Sequence, residues 1–102
     1  MELAYELTVE IGGHDRDREK AIVAACIVEW NFREEDFTHR VAPDGRCELL
    51  EASAVGILYD HEDKDEFAQR IARAVWQANG ALCHVEVRAM GQMRPDGVVI
   101  GN

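Results

Sequence analysis

The segment Glu2–Ile11, ELAYELTVEI, decides the fold of this 102-residue chain because its apolar and polar residues alternate without a break. Apolar side chains at positions 3, 5, 7, 9 and 11 are separated by charged, polar or small ones. A period of two is typical of a strand with one buried face and one solvent face. We therefore predict a first strand here, with Glu6, Thr8 and Glu10 on the solvent face.

The next segment predicts a helix. A Gly-Gly pair at 12–13 ends the strand, and a polar stretch leads into the apolar run AIVAACIVEW at 21–30. We predict a helix over about Asp15–Asn31, with Asp15 or Asp17 accepting hydrogen bonds from its first amides. A helix packed on a sheet needs an apolar stripe about 100° wide, but in this run only Glu29 is charged. Something besides the sheet is expected to cover its second face.

Residues 37–59 predict a hairpin. The stretch FTHRVA resembles a short strand, Pro43-Asp44-Gly45 predicts a turn, and a second strand is expected within 47–59. Gly56 in that strand indicates a bulge or a close approach of another segment. If the register permits, Leu50, Ala52 and Ala54 are expected on the open face of the sheet.

The last two elements are a helix and a strand. Phe67, Ile71 and Val75 follow helical spacing, Asp63 is placed to cap the helix, and Asn79-Gly80 is a stop signal. Alternation over 83–90 predicts the final strand of a single domain, 1–90, and 91–102 is expected to be a tail. Its apolar residues at 98–100 are candidates to cover the first helix.

The order βαββαβ predicts an α+β domain. Short connections and right-handed crossovers favour a ferredoxin-like two-layer sandwich, with an antiparallel sheet in the order 4-1-3-2 and both helices on one face. This fold hosts unrelated activities, so by itself it implies no function.

The charge of the chain narrows its partners. A formal charge of −9, from 20 acidic and 11 basic residues, repels phosphate backbones and anionic lipids. We therefore expect no direct nucleic-acid or membrane binding. Cys26, Cys47 and Cys83 form no CxxC pair, and the first ten residues lack the pattern of a signal peptide. A cytoplasmic location is expected.

In the predicted topology the end of the first helix and the start of the second lie at the same pole of the sandwich. This pole collects the acids of 34–36 and of the stretch YDHEDKDEF at 59–67. Acids from Asp63 onward are explained as a helix start. The residues that remain as a docking surface for a basic partner are Glu34, Glu35, Asp36, Asp60, His61 and Glu62. No metal ligands are assigned, because the stretch lacks EF-hand spacing and His61 stands alone.

The opposite pole carries a possible anion site. Gly12 and Gly13 precede a predicted helix start with free amides, and Arg16 and Arg18 lie nearby in sequence. The carboxylates of the same segment compete for those amides, and no phosphate-binding glycine motif is present.

No catalytic constellation is predicted. His39 and His84 are expected on opposite edge strands, and Ser53 lacks the GxSxG elbow. The sequence therefore favours a non-catalytic protein-binding or accessory module without a cofactor, which binds a basic protein or self-associates as a homodimer. The alternative is a small metal- or anion-dependent enzyme or sensor with its site at one pole.

Overall fold

The computed structural model describes residues 4–45, 48–58 and 62–93. Within them the chain forms β1 (Ala4–Gly12), α1 (Glu19–Glu29), β2 (Thr38–Val41), β3 (Glu48–Ile57), α2 (Lys64–Asn79) and β4 (His84–Met93). A 3₁₀ turn at Arg16–Arg18 precedes α1, and a second one at Glu34–Asp36, which we call the acidic turn, follows it. The predicted order of elements is confirmed.

The described strands form one antiparallel sheet in the order β2-β3-β1-β4, which is the predicted order read from the other edge. The alternation of apolar and polar residues in β1 determines which side chains face the core. Leu7, Val9 and Ile11 are at most 1% exposed and pack in the core with both helices. Thr8 and Glu10 point to the opposite face, which carries neither of the described α-helices and which we call the open face.

The register of β3 corrects one expectation. Ile11 pairs with Leu50 and Val9 pairs with Ala52, and residues directly opposite each other share a face of the sheet. Leu50, Ala52 and Ala54 therefore face the core, and placing them on the open face was wrong. The open face instead receives Leu49, Glu51, Ser53, Val55 and Ile57. The sequence did not show which side of β3 faces the core, because β3 has apolar residues at both odd and even positions.

The turn between β2 and β3 matches the sequence signal. The Gly45 amide donates to the Ala42 carbonyl over 2.8 Å, and Gly45 has a φ of 71°, which favours glycine. Gly56 pairs regularly with Tyr5, so it marks no bulge. A Cβ at Gly56 would lie 2.8 Å from the Trp30 ring, so the close approach is the correct alternative.

Helix α1 begins at Glu19, four residues later than predicted. The Asp15 carboxylate accepts from the Asp17 amide over 2.9 Å and so caps the preceding 3₁₀ turn instead. The Ile22 and Cys26 side chains are fully buried, whereas Val28 is 79% exposed. The predicted cover at 98–100 lies outside the described residues.

Helix α2 has the predicted ends. The Asp63 carboxylate accepts from the Glu66 amide over 2.8 Å, and Gly80 ends the helix with a φ of 77°. Its buried face consists of Phe67, Ile71 and Val75, as the spacing predicted. The Phe67 ring packs edge-on against Trp30 at 4.7 Å between centroids, which joins the two helices.

Strand β4 continues past the expected boundary at residue 90 to Met93. Leu7 pairs with Ala89 and Glu6 pairs with Gly91, so β4 contains one extra residue at this point. Residues 94–102 of the expected tail lie outside the described residues. None of the described helices is long and apolar enough to cross a membrane.

Candidate functional site

The structure divides the predicted acidic docking surface. Glu34, Glu35 and Asp36 lie together in the acidic turn, where the Asp36 carboxylate accepts from the Arg33 amide over 2.8 Å. The Arg33 guanidinium also lies 3.8 Å from the Glu35 carboxylate, with both side chains about three-quarters exposed. The predicted residues Asp60 and His61 lie outside the described residues. The acidic turn is therefore the described part of this surface that remains accessible.

Glu62, the last residue of the predicted docking surface, forms an ion pair with Arg70 of the same molecule. The Arg70 guanidinium donates to both Glu62 carboxylate oxygens, at 2.9 and 3.0 Å, and the Glu62 side chain is only 11% exposed. Arg70 also donates to the carbonyl and carboxylate of Glu29, at 2.8 and 2.6 Å. Arg70 is separated along the chain from Glu62 by 8 residues and from Glu29 by 41, so these contacts were not predicted.

The four residues of the predicted anion site do not form one site, because their surroundings differ. Gly12 is buried in β1, where a Cβ would lie 2.7 Å from a Leu49 methyl group. The Arg16 guanidinium donates to the Glu48 carboxylate over 2.5 Å, while Gly13 and Arg18 are exposed. Since α1 begins only at Glu19, the glycine amides do not form its N-terminus.

A groove of about 420 Å³ runs between one face of α1 and the edge strand β2. All four residues of β2 are exposed, and neither of the described α-helices covers this edge. The apolar lining residues are Val23, Ala24, Ile27, Phe37 and Leu50. Two acids, Glu19 and Glu34, also line the groove, together with Lys20 and His39. The groove thus combines an apolar floor with a border of two acids, one lysine and one histidine, and the acid Glu34 belongs to the acidic turn.

One end of the groove is fixed by two histidines. Glu19 Oε1 lies 3.0 Å from His14 Nε2 and 2.9 Å from His39 Nε2. Burial favours a higher pKa for Glu19, but the hydrogen bonds from His14 and His39 outweigh it, so the Glu19 pKa lies below its usual value. His14 is 97% buried and its Nδ1 has no hydrogen-bond partner among the described residues. The carboxylate is therefore held ionised at a defined position.

The open face of the sheet carries a second polar cluster. Glu10 accepts a hydrogen bond from Arg40 through Oε1 and one from His84 through Oε2, the latter at 3.0 Å. Arg40 and Arg88 both donate to Glu51 Oε2 over 3.1 Å. His39 and His84 lie on opposite edge strands, as predicted. The described residues thus present two polar sites: the cluster around Glu19 on the helix side of the sheet and the cluster around Glu10 on the open face.

Sequence reasoning did not bring the members of either cluster together, because each cluster joins side chains from different elements. His14 precedes α1, Glu19 begins it and His39 lies on β2, so only the three-dimensional fold brings them together. A single signal was available for the groove, namely the apolar character of α1 on all sides. Comparisons of the chain with protein-family models, with curated proteins and with solved structures gave no significant match.

Proposed function

We propose that this chain is a non-catalytic protein-binding module whose groove and acidic turn bind a basic segment carrying an apolar anchoring residue. The observation that carries the proposal is the apolar groove between α1 and β2, bordered by Glu19 and Glu34. Apolar pockets with a few placed polar groups are common binding sites in proteins.

The apolar contribution comes from α1. Ile27 of this helix lines the groove and is 37% exposed, and Val23 and the neighbouring Phe37 also line the groove. Fully burying one leucine or phenylalanine side chain contributes about 1.5–3 kcal/mol. One anchoring side chain of a partner therefore supplies a substantial share of a moderate affinity.

The charge contribution favours a basic partner over an acidic one. The formal charge is −9, and Glu34, which lines the groove, belongs to the acidic turn together with Glu35 and Asp36. Complementary charges at an interface raise the association rate and exclude like-charged partners. Lys20 is the one cation in the described lining of the groove, and it lies beside Glu19. Binding is therefore expected to weaken as salt increases.

The ferredoxin-like assignment belongs to the same proposal. Strand order, strand directions and the single core shared by both helices support it. Because that arrangement serves many unrelated functions, the functional argument rests on the groove alone.

The proposal is tested with a panel of fluorescently labelled peptides that place one leucine or phenylalanine among lysines and arginines. Each peptide has an analogue in which glutamates replace the basic residues. Fluorescence anisotropy is expected to show binding of at least one basic peptide and of none of the acidic analogues. If no basic peptide binds, the proposal is wrong.

Variants separate the groove from the overall charge. Replacing both Glu34 and Glu35 by Gln is expected to weaken binding about 3- to 10-fold, since a rim charge contributes up to about 1 kcal/mol. The double variant Glu6→Gln with Asp65→Asn removes the same charge from the open face and from α2. It should bind like the wild type. Equal weakening by both double variants would indicate attraction to the net charge only.

A further inference from the structure

Three glutamates lie side by side across the open face of the sheet. Glu10 on β1 is the register partner of Glu51 on β3 and of Glu86 on β4. Like charges directly opposite each other on neighbouring strands are destabilising, so this row requires compensation. Arg40 and Arg88 supply it between Glu10 and Glu51, through contacts of 3.1 Å to Glu51.

The other half of the row lacks such compensation. Within the described part of the chain, Glu86 has no arginine or lysine partner, and its carboxylate lies close to that of Glu10. His84 lies on this side of the row, and its Nε2 is 3.0 Å from Glu10 Oε2. Two carboxylates and one imidazole therefore converge without a fixed positive charge beside Glu86.

The distances between these groups suit a bound cation. One donor atom from each of Glu10, His84 and Glu86 lies within 4.8 Å of both others. Two ligands bonded to one ion at about 2.0–2.2 Å, and at right or tetrahedral angles, are about 3.0–3.5 Å apart. The His84 to Glu10 separation already fits. Glu86 is exposed, and one of its carboxylate oxygens lies within 4.8 Å of both other donor atoms.

Glu10 is held in place for this role. Its side chain is 10% exposed, and its other oxygen, Oε1, accepts a hydrogen bond from Arg40. Hydrogen bonds to the outer atoms of a ligating group orient it toward a metal. One oxygen of Glu10 is thus oriented by Arg40, and the other, Oε2, faces His84.

We propose that Glu10, His84 and Glu86 form a binding site for a first-row divalent transition-metal ion, such as Zn²⁺ or Co²⁺, on the open face. An imidazole ligand favours these ions over Mg²⁺ and Ca²⁺, which prefer sites made of oxygen atoms only. On binding, His84 coordinates through Nε2 and carries its proton on Nδ1. The proposal does not depend on the groove, which lies on the other face of the sheet.

The test uses the full chain, treated with EDTA and then titrated with ZnCl₂, MgCl₂ or CaCl₂ in a calorimeter. We expect one equivalent of Zn²⁺ to bind, with weaker or no binding of Mg²⁺ and Ca²⁺. The exposed-residue variants His84→Gln and Glu86→Gln are each expected to lower Zn²⁺ affinity at least about tenfold. The control His39→Gln, which removes an exposed histidine outside the cluster, should bind like the wild type. Circular dichroism checks that each variant is folded.

Cobalt distinguishes this site from one built on cysteine. The visible spectrum of the Co²⁺ complex is expected to lack a sulfur-to-metal charge-transfer band, because no thiolate is among the proposed ligands. The proposal is overturned by the absence of Zn²⁺ binding, by a thiolate band, or by variants at His84 and Glu86 that bind as well as the wild type. A loss of binding in His39→Gln alone would also overturn it.

Discussion

At the scale of single residues, Glu10 has the most constrained surroundings. The residue as a whole is 7% exposed, although it lies on the open face, which none of the described helices covers. Neighbouring charged side chains bury it, and Arg40 and His84 hydrogen-bond its two oxygens. A carboxylate in such surroundings contributes to stability only while it remains ionised.

This predicts how stability depends on pH. The folded-state pKa of Glu10 is lower than the ordinary value of 4.5, mainly because of the hydrogen bond from His84. The stabilisation is thus complete above the unfolded-state pKa and is lost as the pH falls through the folded-state pKa. Urea unfolding in EDTA should give a constant midpoint near neutral pH and a falling midpoint below about pH 4.5.

The variant Glu10→Gln tests whether Glu10 causes the loss of stability at acid pH. Its midpoint should be lower than that of the wild type near neutral pH and should fall less on acidification, because the titrating group is gone. The control Glu6→Gln, also on the open face, should keep the wild-type slope. An acid decline in Glu10→Gln as steep as that of the wild type would contradict this assignment.

Cys26 makes a second prediction at this scale. Burial, together with the nearby charge of Glu29, raises the pKa of the Cys26 thiol to about 12. Because the thiolate is the reactive form, Cys26 should resist iodoacetamide in the native protein and react once urea unfolds it. Cys83 is only partly buried and should react faster. Mass spectrometry of labelled peptides measures both sites, and equal native labelling would contradict the prediction.

At the scale of elements, Arg70 connects the end of α1 with the segment that begins α2. Its guanidinium binds the carboxylates of Glu29 and Glu62 and also lies 5.1 Å from the centre of the Phe67 ring. Burial alone favours a lower pKa for Arg70, but the hydrogen bonds that it donates to both glutamates outweigh this effect and raise its pKa. The helices are therefore joined by polar as well as apolar contacts.

We expect Arg70→Ala to destabilise the fold by about 1–3 kcal/mol, because it leaves two partly buried carboxylates without their donor. Arg70→Lys should recover only part of this loss, since an ammonium group cannot donate in the bidentate geometry. The control Arg73→Ala removes an exposed side chain whose hydrogen bond goes to Gln69. Urea unfolding measures all three variants, and an Arg70→Ala effect no larger than that of Arg73→Ala would contradict the role.

Elements with one strong period were predictable from the sequence. The alternation in β1 and the helical spacing of Phe67, Ile71 and Val75 each specify one buried face, and both were correct. Strand β3 was not predictable in register because its apolar residues occur at both parities. Only pairing with β1, through Ile11 opposite Leu50, determines which of them enter the core.

The candidate site was less predictable than the fold. Charge along the sequence correctly indicated the acidic turn, since three neighbouring acids remain together in any conformation. It did not reveal that Glu62 pairs with Arg70, because that contact depends on how the segment before α2 is placed relative to the helix. The groove depends in the same way on the distance between α1 and an edge strand.

At the scale of the whole molecule, the sheet separates two surfaces of different chemistry. The helix side carries the groove, with Glu19 and Glu34 in its lining, and the open face carries the cluster around Glu10. A peptide that binds the groove should therefore leave the open face unchanged.

The most direct test of the central claim is a ¹H–¹⁵N spectrum of the isotope-labelled protein during titration with the tightest basic peptide. Shift changes are predicted at the groove and the acidic turn, including Val23, Ile27, Glu34 and Phe37, and not at Glu10 or Glu86. Changes confined to the open face, or small changes spread evenly over all acidic residues, would contradict the claim that the groove is the binding site.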